Sequence, residues 1–545
     1  MIKWYCALFL LFLTPFLSAQ VSRSGTFEDT AYLVGNYEVT LSDAYRIDTK
    51  PKLETPEVIS PEYTYQLKLS KAEVPKLIDL PKAEKMAKSQ MPVYKNSFVK
   101  VGFGNYITPL VDAYFHNGAH NKNAFALNLH HLSSQGPNFN DFNQNRVGLD
   151  FKRAIKQGTF YTNTQWNREA YHFYGFDESL LPSPVQDSLR NWYQIIQQNI
   201  GYDLVKGNKI LRALNMNGKA YFLNDLTKQQ EIGIGLSGTG DIKIADHILS
   251  LGLNYDFQGF ISSLDTLYRN IISFSPTYKY KHKTWFFEAG VLATILSEDN
   301  RKPDFYMFPK ISGKYLSNSE AVELFANIGG GLVQNTFKQF IEQNPFIQFN
   351  PNLTNTVNRF QFDAGIKGRI SHGIGAGFTV FHHNYYDFPL FITANTPERR
   401  FVIENFDMNV TRINALLNLN LQNRFTSTLE FNYFNYSFKG INQPLAAYLM
   451  PNLEIISQNK YSIAEKLILN VDLFVFGKRK ALEQTKIDLI ELRPFFDANL
   501  GADYRWKKNI SAFIRINNLS GNKYQRWTYH PVYGINFLAG LTFSL

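Results

Sequence analysis

The feature that most constrains the fold is a long tract of alternation, in which apolar residues occupy every second position from about Ser97 to Leu545. One clear segment runs from Leu249 to Phe257, where Leu and aromatic residues alternate with Ser, Gly, Asn and Asp. Successive side chains of a β-strand point to opposite faces, so a period of two indicates strands with one apolar and one polar face. The tract therefore predicts an all-β fold.

The connections between these segments come in two lengths that alternate along the chain. Tight turns are predicted at Lys156-Gln157-Gly158, Gly207-Asn208, His282-Lys283, Asn423-Arg424 and Lys507-Lys508-Asn509. Long polar loops are predicted at residues 133–145, 175–191, 334–359, 439–451 and 518–531. Short turns at one edge and long loops at the other, joining antiparallel strands of about ten residues, are the pattern of a bacterial outer-membrane barrel.

The membrane explains why such strands must close into a ring. Hydrocarbon offers no partner to a backbone N–H or C=O group, so strands span a bilayer only as a closed barrel. Counting the segments gives roughly 20 to 22 strands, and a single-chain bacterial barrel has an even number. We therefore predict that residues 97–545 form a transmembrane, antiparallel, up-and-down β-barrel in the outer membrane, with its apolar positions against lipid.

The polar positions of the same strands are predicted to line the lumen. They include Asp363, Lys367, Arg369 and Asp472, which are assigned to a face by alternation alone and are not identified as binding residues. Aromatic residues near strand ends fit two hypotheses, interfacial girdles at headgroup level or packing of the loops. These residues are Tyr161, Trp166, Tyr171, Tyr174, Trp285, Tyr385, Tyr386, Trp506, Trp527 and Tyr529.

The first hundred residues do not show the sustained alternation of the rest of the chain. Lys3, the apolar run at residues 7–17 and the small residue Ala19 predict a signal peptide at residues 1–19, cleaved after Ala19 and directing export. The chain's one cysteine, Cys6, lies in that segment, so the mature protein is expected to contain no thiol. Prolines punctuate residues 20–96, which are predicted to form an extended arm, periplasmic or lumenal.

The C-terminal part carries a resemblance to a known family. A strand at residues 496–506 is followed by a second at residues 510–516, then by Asn518-Leu519, Tyr524 and the Gly534-led final strand. This pattern resembles the end of the barrel of TonB-dependent receptors, and the tract from Ser97 onward is similar to receptor-type barrels of Bacteroidetes. Residues 54–60 faintly resemble the energy-coupling box of that family.

Two departures from that family matter for function. The chain ends in Leu545 where the family has an aromatic residue, although Phe543 lies on the same face. The folded plug of the family has no counterpart before the barrel, where only the arm is expected. The resemblance therefore implies a receptor-like barrel without a complete plug, and it leaves energy-coupled uptake in doubt.

Composition and motifs exclude several other classes. Aromatic residues make up 15% of the chain and charged residues 19%, which excludes intrinsic disorder, and after the first twenty residues no apolar run is long enough for a spanning helix. The net charge is +10, but its basic residues are scattered, with a mild gathering in the short turns, so we expect no nucleic-acid partner.

We likewise predict no enzyme, catalytic residue, cofactor or metal site. The adjacent histidines His130-His131 and His382-His383 would point to opposite faces of a strand, which prevents either pair from binding one metal ion. Gly329-Gly330-Gly331 and the alternate glycines from Gly373 to Gly377 do not open a helix after a strand, as a phosphate-binding loop must. The strands' curvature explains them better.

Two functional hypotheses remain open at this stage. The first is a receptor- or porin-like barrel that passes or recognises solutes, with a lumen that selects by width and polar side chains. The second is a non-transporting structural or assembly component of an outer-membrane complex, whose arm and long loops contact outer-membrane or periplasmic proteins. Conductance measurements and co-purification separate the two.

Overall fold

The computed structural model describes residues 97–118, 122–176, 189–204, 207–244, 247–299, 301–318, 321–421, 424–440, 443–464, 466–484 and 489–544. The predicted signal peptide, the arm, the segment at residues 54–60, Cys6 and Leu545 lie outside these residues, as do residues 177–188 of the predicted loop at 175–191 and Asn423 of a predicted turn. Within the described part, no helix is long and apolar enough to cross a membrane.

The elements are almost all strands. In chain order they are β1 Ser97–Gly104, β2 Thr108–His116, β3 Asn123–Gln135, β4 Asp141–Ala154, β5 Gly158–His172, β6 Arg190–Leu204, β7 Leu211–Asp225, β8 Gln230–Ile244, β9 His247–Ile261, β10 Thr266–His282, β11 Trp285–Glu298, β12 Asp304–Leu316, β13 Val322–Val333, helix α1 Phe337–Gln343, β14 Thr356–Ser371, β15 Ile374–Thr393, β16 Phe401–Leu421, β17 Phe425–Phe438, β18 Leu453–Ile463, β19 Leu467–Phe476, β20 Arg479–Ala481, β21 Ile490–Leu492, β22 Phe495–Lys507, β23 Ile510–Asn517, β24 Gln525–Trp527, β25 His530–Pro531 and β26 Asn536–Ser544.

Twenty-two of these strands form one closed antiparallel barrel. Each barrel strand pairs with the next along the chain, and β26 returns to pair with β1, from Phe98 opposite Ser544 to Gly104 opposite Leu538. The short pairs β20–β21 and β24–β25 are separate two-stranded sheets within connections. The predicted all-β, up-and-down barrel with an even number of strands is confirmed, and the count lies at the upper end of the predicted range.

The two ends of the barrel differ as the connection lengths predict. One end, called here the turn end, carries the chain start before β1 and short connections such as residues 155–157, 283–284 and 508–509. The opposite end, called the long-loop end, carries the connections at residues 334–355, 439–452, 477–494 and 518–535. The predicted long loop at residues 133–145 is wrong, because only residues 136–140 connect β3 to β4.

The ladder continues through the polar residues at that position. His131 pairs with Asn145 and Ser133 with Asn143, and the side chains of His131 and Asn145 also form a hydrogen bond of 2.8 Å. Polar residues mark a loop only where the backbone stops pairing, and here the strands extend further along the barrel than the apolar pattern shows.

Alternation sets the two faces of the barrel wall. On β14, Phe360 and Ile366 are exposed on the outer face, whereas the amide of Gln361 donates to Asp363 at 2.6 Å on the inner face. Outward apolar side chains dominate β8 to β12 as well, for example Leu253 and Phe274. This is the arrangement expected of a wall with lipid outside and a polar lumen inside.

Candidate functional site

The long connection between β13 and β14, residues 334–355, folds inward and is called here the mouth cover. Its residues pack on β5, β6 and β7 at one side of the ring and on β15 and β16 at another. A single connection can touch such distant strands only by crossing the opening of the barrel. The mouth of the barrel at the long-loop end is therefore covered by the chain itself.

The local sequence explains why this connection is ordered. Thr336 is the N-cap of α1, its hydroxyl accepts the backbone N–H of Gln339 at 3.0 Å, and the Gln339 side chain accepts the N–H of Thr336 at 3.2 Å. This reciprocal capping box fixes the start of the helix. Phe337, Phe340 and Ile341 follow at helical spacing and are all buried, so one face of the short helix is apolar.

That apolar face belongs to the main hydrophobic cluster of the protein. From the mouth cover come Phe337, Phe340, Ile341, Phe346, Ile347 and Leu353; from the wall and neighbouring loops come Tyr171, Phe173, Leu189, Tyr193, Ile195, Leu223, Phe260, Phe391, Phe401 and Ile403. A barrel has no interior sheet-to-sheet core, so burial of this kind has to come from a segment inserted into the lumen. The core of the molecule thus lies at the mouth.

A buried carboxylate of the wall holds the start of α1. Glu231 of β8 is fully buried, and its two carboxylate oxygens accept the backbone N–H groups of Phe337 at 2.7 Å and Lys338 at 3.0 Å. The same carboxylate accepts the hydroxyl of Tyr221 at 2.8 Å and the amide of Gln258 at 2.5 Å. An ionised carboxylate is stable in such a place only when hydrogen bonds replace water.

A buried guanidinium holds both ends of the mouth cover. Arg269 of β10 is fully buried, and it donates to the carbonyl of Leu353 at 2.7 Å, to the side chain of Asn355 at 2.6 Å and to the carbonyl of Asn335. Its Nε donates to Gln258 at 2.5 Å. Gln258 therefore links Arg269 to Glu231, and the two opposite charges form one hydrogen-bonded network on the lumenal wall.

The connection at residues 518–535, also at the long-loop end, packs on the mouth cover through His530. The imidazole of His530 stacks on Phe346 with ring centroids 4.1 Å apart and lies edge-on to Tyr174. Its Nδ1 lies 2.8 Å from the carbonyl oxygen of Thr528. Burial, together with the positive charge of Arg399 nearby, lowers the pKa of His530 to about 4. The ring is therefore neutral at neutral pH and acts as part of the apolar cover.

A second cation is enclosed by aromatic rings beside the cover. The guanidinium of Arg400, in the connection after β15, lies 4.3 Å from the ring centre of Phe173 and 4.0 Å from that of Phe349. Burial lowers the pKa of Arg400, partly offset by Glu398, whose carboxylate is 3.7 Å away. Cation–π contacts of this kind tie three connections of the long-loop end together.

The predicted lumenal residues lie on the inner face, but only some of them meet. Asp363 is 2.8 Å from Nε2 of His383, and Lys367 is 3.1 Å from Glu323, which also pairs with Lys314 at 3.2 Å. Asp472 is opposite Gln458 on β18 and does not join these pairs. Arg369 lies opposite Gly375 near the turn end.

The histidine pairs behave as the strand geometry predicts. His130 faces the lumen and pairs with Asp112, whereas His131 faces outward and bonds Asn145. His383 faces Asp363 in the lumen, and His382 on the other face lies 2.9 Å from the Thr411 hydroxyl. Among the described residues, no group of three or more His, Cys, Asp or Glu side chains is placed to hold a metal ion.

The aromatic residues near strand ends divide between the two hypotheses given for them, interfacial girdles and packing of the loops. Trp285 and Trp506 are exposed on the outer face at the turn end, as a girdle requires. Several others do not form a girdle: Tyr161 is buried, Tyr385 bonds His383 in the lumen, Tyr171 and Tyr174 pack at the mouth, Trp527 packs on Phe391 and Phe401, and Tyr529 bonds Glu483. Tyr171 donates its hydroxyl to the carbonyl of Pro345 in the mouth cover.

The fold defines the class of protein to which this chain is similar. The FrpB iron transporter from Neisseria meningitidis matches with a TM-score of 0.67 at 10% identity, over 83% of this chain and 82% of that one. The siderophore receptor PirA from Acinetobacter baumannii matches at 0.63 and 10%, over 82% and 80%. The copper transporter OprC matches at 0.61 and 10%, over 82% and 80%.

These neighbours are named as two transporters and a receptor, and the receptor-type barrel predicted from the sequence is confirmed as a fold. At such low identity the likeness concerns the fold alone. No family model matches the sequence, and no curated protein does. The chain is therefore an outer-membrane-type β-barrel that resembles TonB-dependent receptors, with a mouth closed by its own connection.

Proposed function

We propose that this protein is an outer-membrane receptor that recognises a solute at its long-loop end and passes it through the lumen when the mouth cover moves. The observation that carries the proposal is the attachment of residues 334–355 to the lumenal wall through Glu231 and Arg269. An open porin needs no such attachment, whereas a receptor needs a closed resting state. The structural neighbours that transport iron or copper support the same class.

In this proposal residues 1–19 direct export and are removed. The chain enters β1 at the turn end, which is opposite the mouth cover. The long-loop end then faces outward and the arm is available from the periplasm or the lower lumen. The solute is left unnamed, because the neighbours carry different cargoes and share only the fold with this chain.

Single-channel conductance of the full-length mature protein in planar bilayers tests the proposal. We expect a low, steady conductance in the wild-type protein. Arg269→Ala removes the donor that holds Leu353 and Asn335, so we expect frequent stepwise openings. Lys279→Ala is the matched control, because Lys279 lies on the same strand, is paired with Asp241 at 3.0 Å and does not contact the mouth cover.

The outcomes also distinguish the assembly hypothesis. If hydrogen exchange shows that residues 334–355 are released in Arg269→Ala but no conductance appears, solute passage is wrong. A stoichiometric protein partner recovered in mild detergent, together with that absence of conductance, would favour a structural component. Openings that occur equally in Lys279→Ala would show that the mouth cover is not the barrier.

A further inference from the structure

The exposed basic residues in the described turns of the barrel form one feature that the sequence shows only as a mild gathering. Exposed basic residues occupy the short connections of the turn end, and no acidic residue lies in the described part of these connections. These residues are Lys122, Lys156, Lys209, Lys283, Arg424, Lys466 and Lys508. By sequence, the remaining positions of the same turns add Lys206 and the acidic residues Asp246, Glu320 and Glu465, so the balance stays basic.

The strand ends beside these turns carry further exposed basic residues. Arg153, Arg212 and Lys507 are exposed there as well. Several carboxylates near this end point into the lumen, where a basic side chain engages them: Asp241 with Lys279, Glu323 with Lys314 and Lys367, and Asp503 with Arg515. The rim of the turn end therefore presents positive charge outward. We call the exposed basic residues of these turns and strand ends the basic rim.

The long-loop end is different, because several basic residues there pair with acidic ones. Examples are Arg301 with Glu298 at 3.2 Å, Lys338 with Glu342 at 2.9 Å and Lys478 with Glu491 at 3.8 Å. The basic residues of the described barrel are thus not spread evenly between its two ends. Their concentration at the turn end calls for a counter-charge at that end.

Exposed aromatic rings mark the level of the basic rim relative to a bilayer. Trp285 and Trp506, 45% and 65% exposed on the outer face, adjoin the turns at residues 283–284 and 508–509. The ammonium group of Lys507 lies 5.2 Å from the ring centre of Trp506. Amphipathic rings of this kind lie at headgroup level, so the neighbouring lysines lie level with lipid phosphates and can reach them along their flexible stems.

We infer that the basic rim binds the anionic phospholipid headgroups of the leaflet next to the turn end. The distribution of charge favours lipid over a protein partner. The basic turns follow β2, β4, β6, β10, β16, β18 and β22 and so surround the ring. A leaflet also surrounds the whole barrel, whereas one acidic protein would require the charge on a single arc. This inference goes beyond the proposed function and does not depend on how the mouth opens.

Quenching of tryptophan fluorescence by brominated lipids tests this inference. The mature protein, with Trp166 and Trp192 changed to Phe, keeps Trp285 and Trp506 at the turn end and Trp527 inside the mouth region. It is reconstituted in phosphatidylcholine vesicles with a minor fraction of phosphatidylglycerol, brominated on one lipid or the other. We expect phosphatidylglycerol to quench about threefold more effectively than phosphatidylcholine at equal mole fraction at low salt, because each basic residue near the surface attracts anionic lipid.

Variants that neutralise charge test whether the basic rim causes the preference for phosphatidylglycerol. In the variant Lys156→Gln, Lys209→Gln, Lys283→Gln and Lys466→Gln, the preference should fall towards equality, as it should for the unmutated rim in roughly 0.5 M salt. The control carries Lys228→Gln, Lys302→Gln, Lys439→Gln and Lys523→Gln, all exposed lysines of the long-loop end, and should keep the preference. Equal quenching by the two lipids with the rim intact, an equal loss in both variants, or salt-resistant binding of one acidic protein without lipid preference would overturn the inference.

Discussion

Glu231 accepts the backbone N–H of Phe337 at 2.7 Å, so a side chain of the barrel wall holds the first turn of a helix that lies in a distant connection. The second oxygen of the same carboxylate accepts the N–H of Lys338. The first N–H groups of a helix have no partner within it, and here the wall supplies the acceptor. The order of the mouth cover therefore depends on the integrity of β8.

Replacement of Glu231 should loosen the mouth cover without unfolding the barrel. Glu231→Ala leaves two backbone N–H groups, the Tyr221 hydroxyl and the Gln258 amide without their acceptor, and we expect the free energy of local opening to fall by about 3 kcal/mol. Hydrogen exchange of residues 337–343 should then accelerate by about a hundredfold. Glu342→Gln is the control, because the Lys338–Glu342 pair on the helix surface contributes below about 0.5 kcal/mol. Similar exchange in both variants would contradict this account.

The aromatic contacts of Phe346 should stabilise the closed mouth cover about as much as the hydrogen bonds of Glu231 do. Its ring meets Tyr171, Tyr174 and His530 with centroids 5.7, 5.6 and 4.1 Å apart, and Phe346→Ala would leave a cavity among them. We expect a loss of about 3 kcal/mol in the stability of the closed mouth cover, measured as faster proteolysis within residues 334–355. Phe305→Ala removes an outward ring that is 62% exposed and should leave this proteolysis unchanged.

Acid should release the cover through His530. Burial lowers the pKa of His530 from 6.5 to about 4, so the open form binds a proton more readily than the closed form. The stability that the neutral ring contributes is complete above about pH 6.5 and is lost progressively as the pH falls towards 4, by about 3 kcal/mol in all.

Trp527 packs on Phe391 and Phe401, and Phe401 also contacts His530, so Trp527 fluorescence reports this change. In a background with Trp166, Trp192, Trp285 and Trp506 changed to Phe, we expect a titration between pH 6.5 and 4. His530→Phe keeps an aromatic ring in the stack but cannot be protonated, so this titration should disappear. A titration that persists in His530→Phe would assign the change to another group.

Closure of the barrel should depend on Gly540. A Cβ atom at this position would lie against the carbonyl oxygen of Val101 and 2.6 Å from the Cα of Gly102, so the first and last strands could not approach. We expect Gly540→Ala to lower the fraction of folded, heat-modifiable barrel on cold gel electrophoresis. Gly313→Ala is the control, because the nearest atom to its added Cβ is a ring carbon of Phe287 at 3.6 Å. Equal folding of Gly540→Ala and Gly313→Ala would contradict the prediction.

Much of the barrel could be predicted from the sequence, because the membrane imposes a simple rule on each strand. Lipid on one side and water on the other force a period of two, which placed Asp363 and Lys367 on the inner face correctly. The same rule needs no knowledge of distant residues. It does not identify partners: Tyr171 and Tyr385 lie on the inner face, as alternation predicts, but their hydrogen bonds to Pro345 and His383 could not be read from it.

The mouth cover could not be predicted for a related reason. Residues 334–359 were expected to form a polar loop, although Thr336 and Gln339 form a capping box and Phe337, Phe340 and Ile341 have helical spacing. Those signals predict a short helix, but not where it packs. The carboxylate and guanidinium that hold the cover come from β8 and β10, and in the sequence Glu231 and Arg269 resemble any other polar residue of the inner face.

The seal between β1 and β26 has a consequence for how the protein is made. Phe537 donates its backbone N–H to the side chain of Asn105, 432 residues earlier in the chain, and every register pair of the seam has a similar separation. Until the final strand emerges, the first strand has a bare edge that hydrocarbon cannot tolerate. The ring cannot grow into a bilayer strand by strand as a self-sufficient structure. Both edges of the incomplete sheet must be shielded from hydrocarbon until the last nine-residue strand completes the seam.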